Sequence, residues 1–311
     1  LSMLPSEEFS CPLFNYGKEK LSTEALMKIF VVAQFNRWES YKEIETRLKA
    51  EPAFQKALGL SSISGSQLSR RINELPTKYT QQLFMRAVSL LQNATKDSKG
   101  INEVVGALRV IDSTHLKLPP TLCDWAFVSK GWNVVKMHTR IDVVSEDVCF
   151  PDMMIPSTGN VSDFECTKPF IEKSNHTYLM DRGYPSKGNL MHWQKEEIKF
   201  VARISNSLKV IPIESYEVTH PAVLKDEKVL FGVSEEPIRL IEFKDEEEKV
   251  YRLFSTRWDL SSEQVMDVYR YRWKIETFFR WIKQHTGIIK IWSTKPQGIW
   301  NQLYLALTAY C

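Results

Sequence analysis

The chain is 311 residues long, 43% hydrophobic and 25% charged, with a formal net charge of +3. That composition is ordinary for a soluble globular protein, leaves room for a large core in two or three folding units, and excludes low-complexity and fibrous classes. Bulk charge makes no case for nucleic acid, so any such role has to rest on local clusters.

In chain order, Met3 reads as a natural start behind Leu1 and Ser2. Residues 22–98 then read as helices. "STEALMKIFVVAQFNRW" opens on Ser22 with Glu24 in the first turn, where an acid suits the helix dipole. Shorter periodic segments follow at 40–49 and 51–58. In "GLSSISGSQLSRRINELP", Ser64 or Ser66 caps a helix with Leu68, Ile72 and Leu75 on its apolar face, and Pro76 ends it. Its other face carries Gln67, Arg70, Arg71 and Asn73, side chains suited to base edges and phosphates. A short helix, a Gly/Ser turn and such a second helix resemble a helix-turn-helix. An ordinary solvated face is the competing reading.

After the polar linker "NATKDSKG" (93–100) the pattern turns to strands at 107–119 and 132–145, with a third at 147–158 bent or ended by Pro151. A short helix is predicted over 162–174. An apolar run follows in "HTYLMDRGYPS", then a helix in "SKGNLMHWQKEE" and a strand in "KFVARIS". Strands followed by alternating helix and strand predict an α/β domain. Residues 207–257 are β-like, and "KDEEEK" (244–249) marks a hairpin tip; helix resumes at Ser261. The closing "IWNQLYLALTAYC" is an apolar helical pattern without a stop signal, so a longer natural chain is expected. The expected division is a helical, DNA-binding 1–100, a core over 101–206, a β-rich insertion over 207–260 and core helices over 261–311.

The five cysteines are scattered and form no CxxC pair, which predicts free thiols in a reducing compartment and no zinc site. No apolar run is long enough to span a membrane, and a cytoplasmic location is expected.

The stretch "DVYRYRWKIETFFRWIKQH" (267–285) sets Glu276 among Arg270, Arg272, Lys274, Arg280 and Lys283. Read as one helix, Tyr269, Arg272, Glu276 and Lys283 fall in a stripe roughly 60° wide, beside the apolar stripe of Ile275, Phe279 and Ile282. A lone carboxylate at the edge of a buried face fits a metal ligand with phosphate-gripping neighbours. The bland alternative is an i,i+4 ion pair between Arg272 and Glu276, worth roughly 0.3–0.5 kcal/mol. Metal chemistry on phosphates needs further acids at the ends of buried strands. Asp112 closes "LRVID" and Asp181 closes "TYLMD"; Asp142 in "TRIDVVS" is a rival, and a turn cap is the ordinary role of any one of them. His115 is expected to be packed or hydrogen-bonded.

Asp112 in "DSTH", Asp181 in "DRGY" and the Y-x2-R-x3-E-x6-K pattern of Tyr269, Arg272, Glu276 and Lys283 resemble the DDE transposases of the insertion-sequence-4 type. The resemblance covers about residues 100–311. It implies an RNase H-like core with a β-rich insertion, behind the all-helical N-terminal region. It implies two Mg²⁺ or Mn²⁺ ions held by Asp112, Asp181 and Glu276. Tyr269, Arg272 and Lys283 would then grip phosphates, with Arg70 and Arg71 on double-stranded DNA. The implied activity is cut-and-paste transposition at terminal inverted repeats, in a bacterial cytoplasm at the nucleoid, by a homodimer on the DNA. An aromatic of the insertion, Tyr251 or Trp258, would stack a displaced base. The rivals are an RNase H-like repair or recombination nuclease and a silent, transposase-derived DNA-binding protein.

Overall fold

The computed structural model of the chain describes residues 11–17 and 21–311. The start expected at Met3 lies outside the described residues. Helices come first: α1 Pro12–Asn15, α2 Thr23–Phe35, α3 Tyr41–Ala50, α4 Pro52–Leu58, α5 Gly65–Glu74 and α6 Thr77–Ala94. Ser22, Ser40 and Ser64 cap α2, α3 and α5, each hydroxyl accepting from the amide three residues on. Each cap satisfies an N–H that a helix start leaves unpaired. Pro76 pushes Leu75 to φ −64°, ψ 120°, which stops α5. Between α4 and α5, Gly59 takes φ +63°, a left-handed turn that glycine adopts without strain.

The strands are β1 Leu108–Leu118, β2 Phe127–Ser129, β3 Trp132–Val143, β4 Cys149–Thr158, β5 Thr177–Met180, β6 Phe200–Arg203, β7 Val210–Ser215, β8 Val223–Phe231, β9 Ile238–Lys244 and β10 Val250–Ser255. They form one sheet in the order β2-β3-β1-β5-β6-β10-β9-β8-β7, with β4 also paired to β3. β1, β3 and β4 are antiparallel, while β1, β5 and β6 run parallel. Three antiparallel strands continued by two parallel ones are an RNase H-like core. Helices α7 Lys187–Lys195, α8 Ser262–Arg270, α9 Trp273–His285 and α10 Pro296–Tyr310 complete the chain.

Four local expectations change. Pro151 does not end the third strand: β4 runs through it, because the register slips between Arg140 and Ile141 and the bulge absorbs the missing amide. The helix expected at 162–174 is two 3₁₀ turns, Asp163–Cys166 and Lys168–Phe170. The β-rich segment extends the core sheet, since β10 pairs with β6. Residues 267–285 are not one regular helix: α8 ends at Arg270 and α9 starts at Trp273, with Tyr271 and Arg272 in a tight αR turn.

The N-terminal helices share their apolar cluster with Leu305 of α10. Asn301 on α10 donates to the Ile72 and Leu75 carbonyls at 2.9 and 2.8 Å and accepts from Thr80 Oγ1 at 2.8 Å. Those carbonyls end α5, and Gln297 Nε2 gives the Leu75 carbonyl a second donor at 2.7 Å.

Candidate active site

Sheet register brings the first two acids together. On the parallel pair β1–β5, Ile111 stands opposite Met180, so Asp112 and Asp181 are the next residues on adjacent strands. Both are half-buried where the apolar runs end. Side chains alternate along β1. Val110 and Leu116 face the apolar cluster holding Ile275, Phe279 and Ile282 of α9; Ile111 faces the opposite cluster. Asp112 shares the parity of Val110, and α9 carries Glu276 over that face.

Arg272 joins the acids. Its Nη2 lies 2.6 Å from Glu276 Oε1 and its Nη1 lies 3.6 Å from Asp112 Oδ2. Arg272 is only 7% exposed, so this is a partly desolvated bridge between two carboxylates and not a surface pair. Asp112 Oδ1 accepts from the Ser113 amide at 2.8 Å. Asp181 Oδ1 accepts from Tyr269 Oη at 3.4 Å and pairs with Arg203 Nη1 at 3.3 Å.

The electrostatics follow from this crowding. Burial pushes the Asp112 carboxyl up to about 6; the Ser113 amide and Arg272 oppose the rise, and Asp181 and Glu276 add to it. Burial and Asp181 raise the Tyr269 phenol, so it stays protonated and donates. Lys283 reaches the outer end of β1, where Nζ donates to the His115 carbonyl at 3.3 Å, and burial lowers its pKa.

Several expected positions fall elsewhere. Arg71 is 1% exposed, with Nη1 and Nη2 donating to the Phe14 and Leu21 carbonyls at 2.8 and 2.9 Å. Its burial takes it off the proposed DNA face. Asn73 turns toward α10 and accepts from Ser293. Arg70 is exposed and Gln67 partly so. Asp142 stands beside Arg109, Arg140, Asp152 and His176, away from the Arg272 bridge. The His115 side chain is exposed, not packed. Tyr251 is buried against Phe243, with centroids 5.2 Å apart, and lines a cavity of about 430 Å³ with Tyr269 and Trp273. Trp258 sits outside that lining, beside Tyr216 and Arg239.

Two site residues carry no signal in the sequence. Arg203 ends β6, one register step from Asp181, with its guanidinium 4.6 Å from the Tyr251 centroid. Only the β5–β6 pairing reveals it. Trp273 follows Arg272, is 54% exposed and lines the same cavity as Tyr251.

The transposase DDE domain matches residues 105–311. The chain belongs to the DDE transposase family. It is 24% identical over 292 residues to a protein named as a transposase for insertion sequence element IS5377 in Geobacillus stearothermophilus, covering 92% of this chain and 74% of that one. It is 28% identical over 213 residues to a protein named as transposase y4zB in Sinorhizobium fredii, covering 65% and 59%. A protein named as a transposase for insertion sequence element IS4SA in Synechocystis is 24% identical over 234 residues, covering 73% and 65%. The family is one of divalent-metal enzymes acting on DNA. The donor chemistry suits such a metal: Arg272 bridges Asp112 and Glu276, and Asp181 stands on the neighbouring strand, while among the described residues no three metal-ligating side chains are drawn into one cluster. Among the described residues no helix is long and apolar enough to cross a membrane.

Proposed function

We propose that this transposase cuts the phosphodiester at the ends of its element and joins the freed 3′-OH to target DNA, using Asp112, Asp181 and Glu276 to hold two Mg²⁺ or Mn²⁺ ions. The observation that carries the reading is the Arg272 bridge, which draws the acid of α9 to the acid of β1 beside Asp181. Bound divalent ions supply Lewis acidity at the scissile phosphate and lower the pKa of the attacking water or hydroxyl.

The chain's own groups do the rest. Arg272 and Lys283 present cations to the phosphate backbone, and Arg203 adds a third beside Asp181. Tyr269, held protonated, orients Asp181 through its hydroxyl and is no covalent nucleophile. An aromatic of the insertion stacks a displaced base: Trp258 is the exposed one of the pair, while Tyr251 is stacked on Phe243 beneath Arg203. Arg70 on the exposed face of α5 contacts terminal-repeat DNA, with the helical 1–100 as the end-binding part, 101–206 and 261–311 as core, and 207–260 as insertion. A homodimer on paired ends, at the nucleoid in the cytoplasm, completes the reading.

The test is one duplex carrying the element's end, assayed by gel shift and by Mg²⁺-dependent nicking. Asp112→Asn, Asp181→Asn and Glu276→Gln should each bind and fail to cut. Near wild-type cutting by any one removes that residue from the metal site.

A further inference from the structure

Ser113 follows Asp112 in β1, so its side chain points to the opposite face of the sheet. There it meets His138, its register partner on β3, with Lys136 two residues away on the same face. The 3₁₀ turn Asp163–Cys166, fixed by a capping box between Ser162 and Glu165, brings a further carboxylate to this place. Asp163 Oδ1 accepts from Ser113 Oγ at 3.2 Å and from Lys136 Nζ at 3.1 Å. Asp163 Oδ2 closes on Gly183, where a Cβ would come within 2.9 Å. Gly183 stands two residues after Asp181. Tyr184 is buried beside it, its hydroxyl 3.3 Å from His138 Nδ1, and His138 Nε2 is 2.9 Å from Ser157 Oγ.

One side chain therefore touches the residue next to Asp112 and the loop that follows Asp181. Asp112 lies within β1, paired with Thr139 of β3, whereas Asp181 follows the last residue of β5, where the sheet no longer fixes the chain. We propose that Asp163 is a positioning residue: from the rear of the sheet it holds the two segments that present Asp112 and Asp181 to the metal. The inference rests on the reading of those aspartates as metal ligands. Asp163 itself is no ligand, because Oδ1 is engaged by Ser113 and Lys136 and Oδ2 packs against Gly183, on the face away from Glu276. Groups that orient metal ligands set affinity as well as rate.

The experiment is Mn²⁺ titration of the full chain by calorimetry, without DNA, beside melting temperature and gel shift. Asp163→Asn keeps the shape and loses the charge that Lys136 pairs with; Ser113→Ala breaks only the link to β1 and covers the case where the first variant misfolds. Both should fold, bind end DNA as wild type, and bind Mn²⁺ about 10–100-fold more weakly. Nicking should be recovered for both at high Mn²⁺. Wild-type Mn²⁺ affinity in both variants, with binding lost in Asp112→Asn, overturns the positioning role and leaves the metal site standing. Wild-type affinity in Asp112→Asn as well removes the metal site, and the positioning role with it.

Discussion

Arg71, on α5, and Arg272, in the turn between α8 and α9, are both buried arginines, and their partners differ. Arg71 on α5 gives its guanidinium to two backbone carbonyls and stacks over Phe14, 3.2 Å from the ring centroid. The carbonyls take up its two Nη groups, and burial lowers the Arg71 pKa against the pull of Glu74. Arg272, between α8 and α9, gives its guanidinium to two carboxylates. One arginine is a fixed cross-link. The other neutralises acids for which a divalent ion or a phosphate can compete. The same residue type cross-links the fold where its partners are carbonyls, and belongs to the proposed catalytic site where its partners are carboxylates.

The strongest way to break this contrast is to remove the acid from the second site. Glu276→Gln keeps the length and shape of the side chain and deletes one charge. Nicking should fall by about a thousandfold or more, since each 1.36 kcal/mol of lost transition-state stabilisation is about tenfold. End-DNA binding should hold or tighten, because a negative charge near phosphates is gone. Near wild-type nicking would make the Arg272–Glu276 pair an ordinary salt bridge.

The next effect belongs to the first site. Arg71→Ala should lower unfolding free energy by about 2–4 kcal/mol, because two buried carbonyls lose their donors and Phe14 loses its cover. Urea unfolding measures it. Arg70→Ala, on the exposed face of the same helix, should change stability by less than about 0.5 kcal/mol. It should instead reduce the salt dependence of end binding by about one phosphate contact. A reversed pattern, with Arg71 moving the salt slope and Arg70 the stability, would overturn the placement of both.

This contrast also marks what a sequence can show. Asp112 and Asp181 are legible because each is one polar residue after an apolar run, and Glu276 because it is one acid among cations; β1 runs on past Asp112 to Leu118, within the strand read over 107–119. The α5 helix is legible from its cap, its Leu68–Ile72–Leu75 stripe and Pro76. Which of two adjacent arginines turns inward is not, because the partners of Arg71 lie 57 and 50 residues away at Phe14 and Leu21. Arg203 and Asp163 stay hidden for the same reason: strand register and a rear-face turn bring them to the aspartates, and neither leaves a local pattern. The joining of the 207–257 strands to the core sheet through β10 and β6 is likewise a long-range pairing.

The smallest effect compares the two aspartates that stood as rivals. Burial pushes Asp142 up to about 6, as it does Asp112, and Asp152 adds to the rise against Arg109 and Arg140. Equal shifts therefore do not distinguish a metal ligand from a bystander; position does. Asp142 is 4% exposed, its Oδ1 makes no hydrogen bond, and its nearest cationic candidate, His176 at 3.6 Å, is itself held neutral by burial, with its pKa lowered to about 4. An acid whose folded pKa lies above its unfolded one binds more protons in the folded state between the two values. Its contribution to stability is therefore fully present below about pH 4, is lost as pH rises to about 6, and stays lost above that. Asn mimics the protonated acid. Asp142→Asn should match wild-type stability at pH 4 and exceed it at pH 7. Nicking should be unchanged throughout. Denaturant unfolding at the two pH values decides it: a variant less stable at pH 7 would mean that Asp142 is held as a needed anion by Arg109 and Arg140, and a loss of nicking would return it to the catalytic acids.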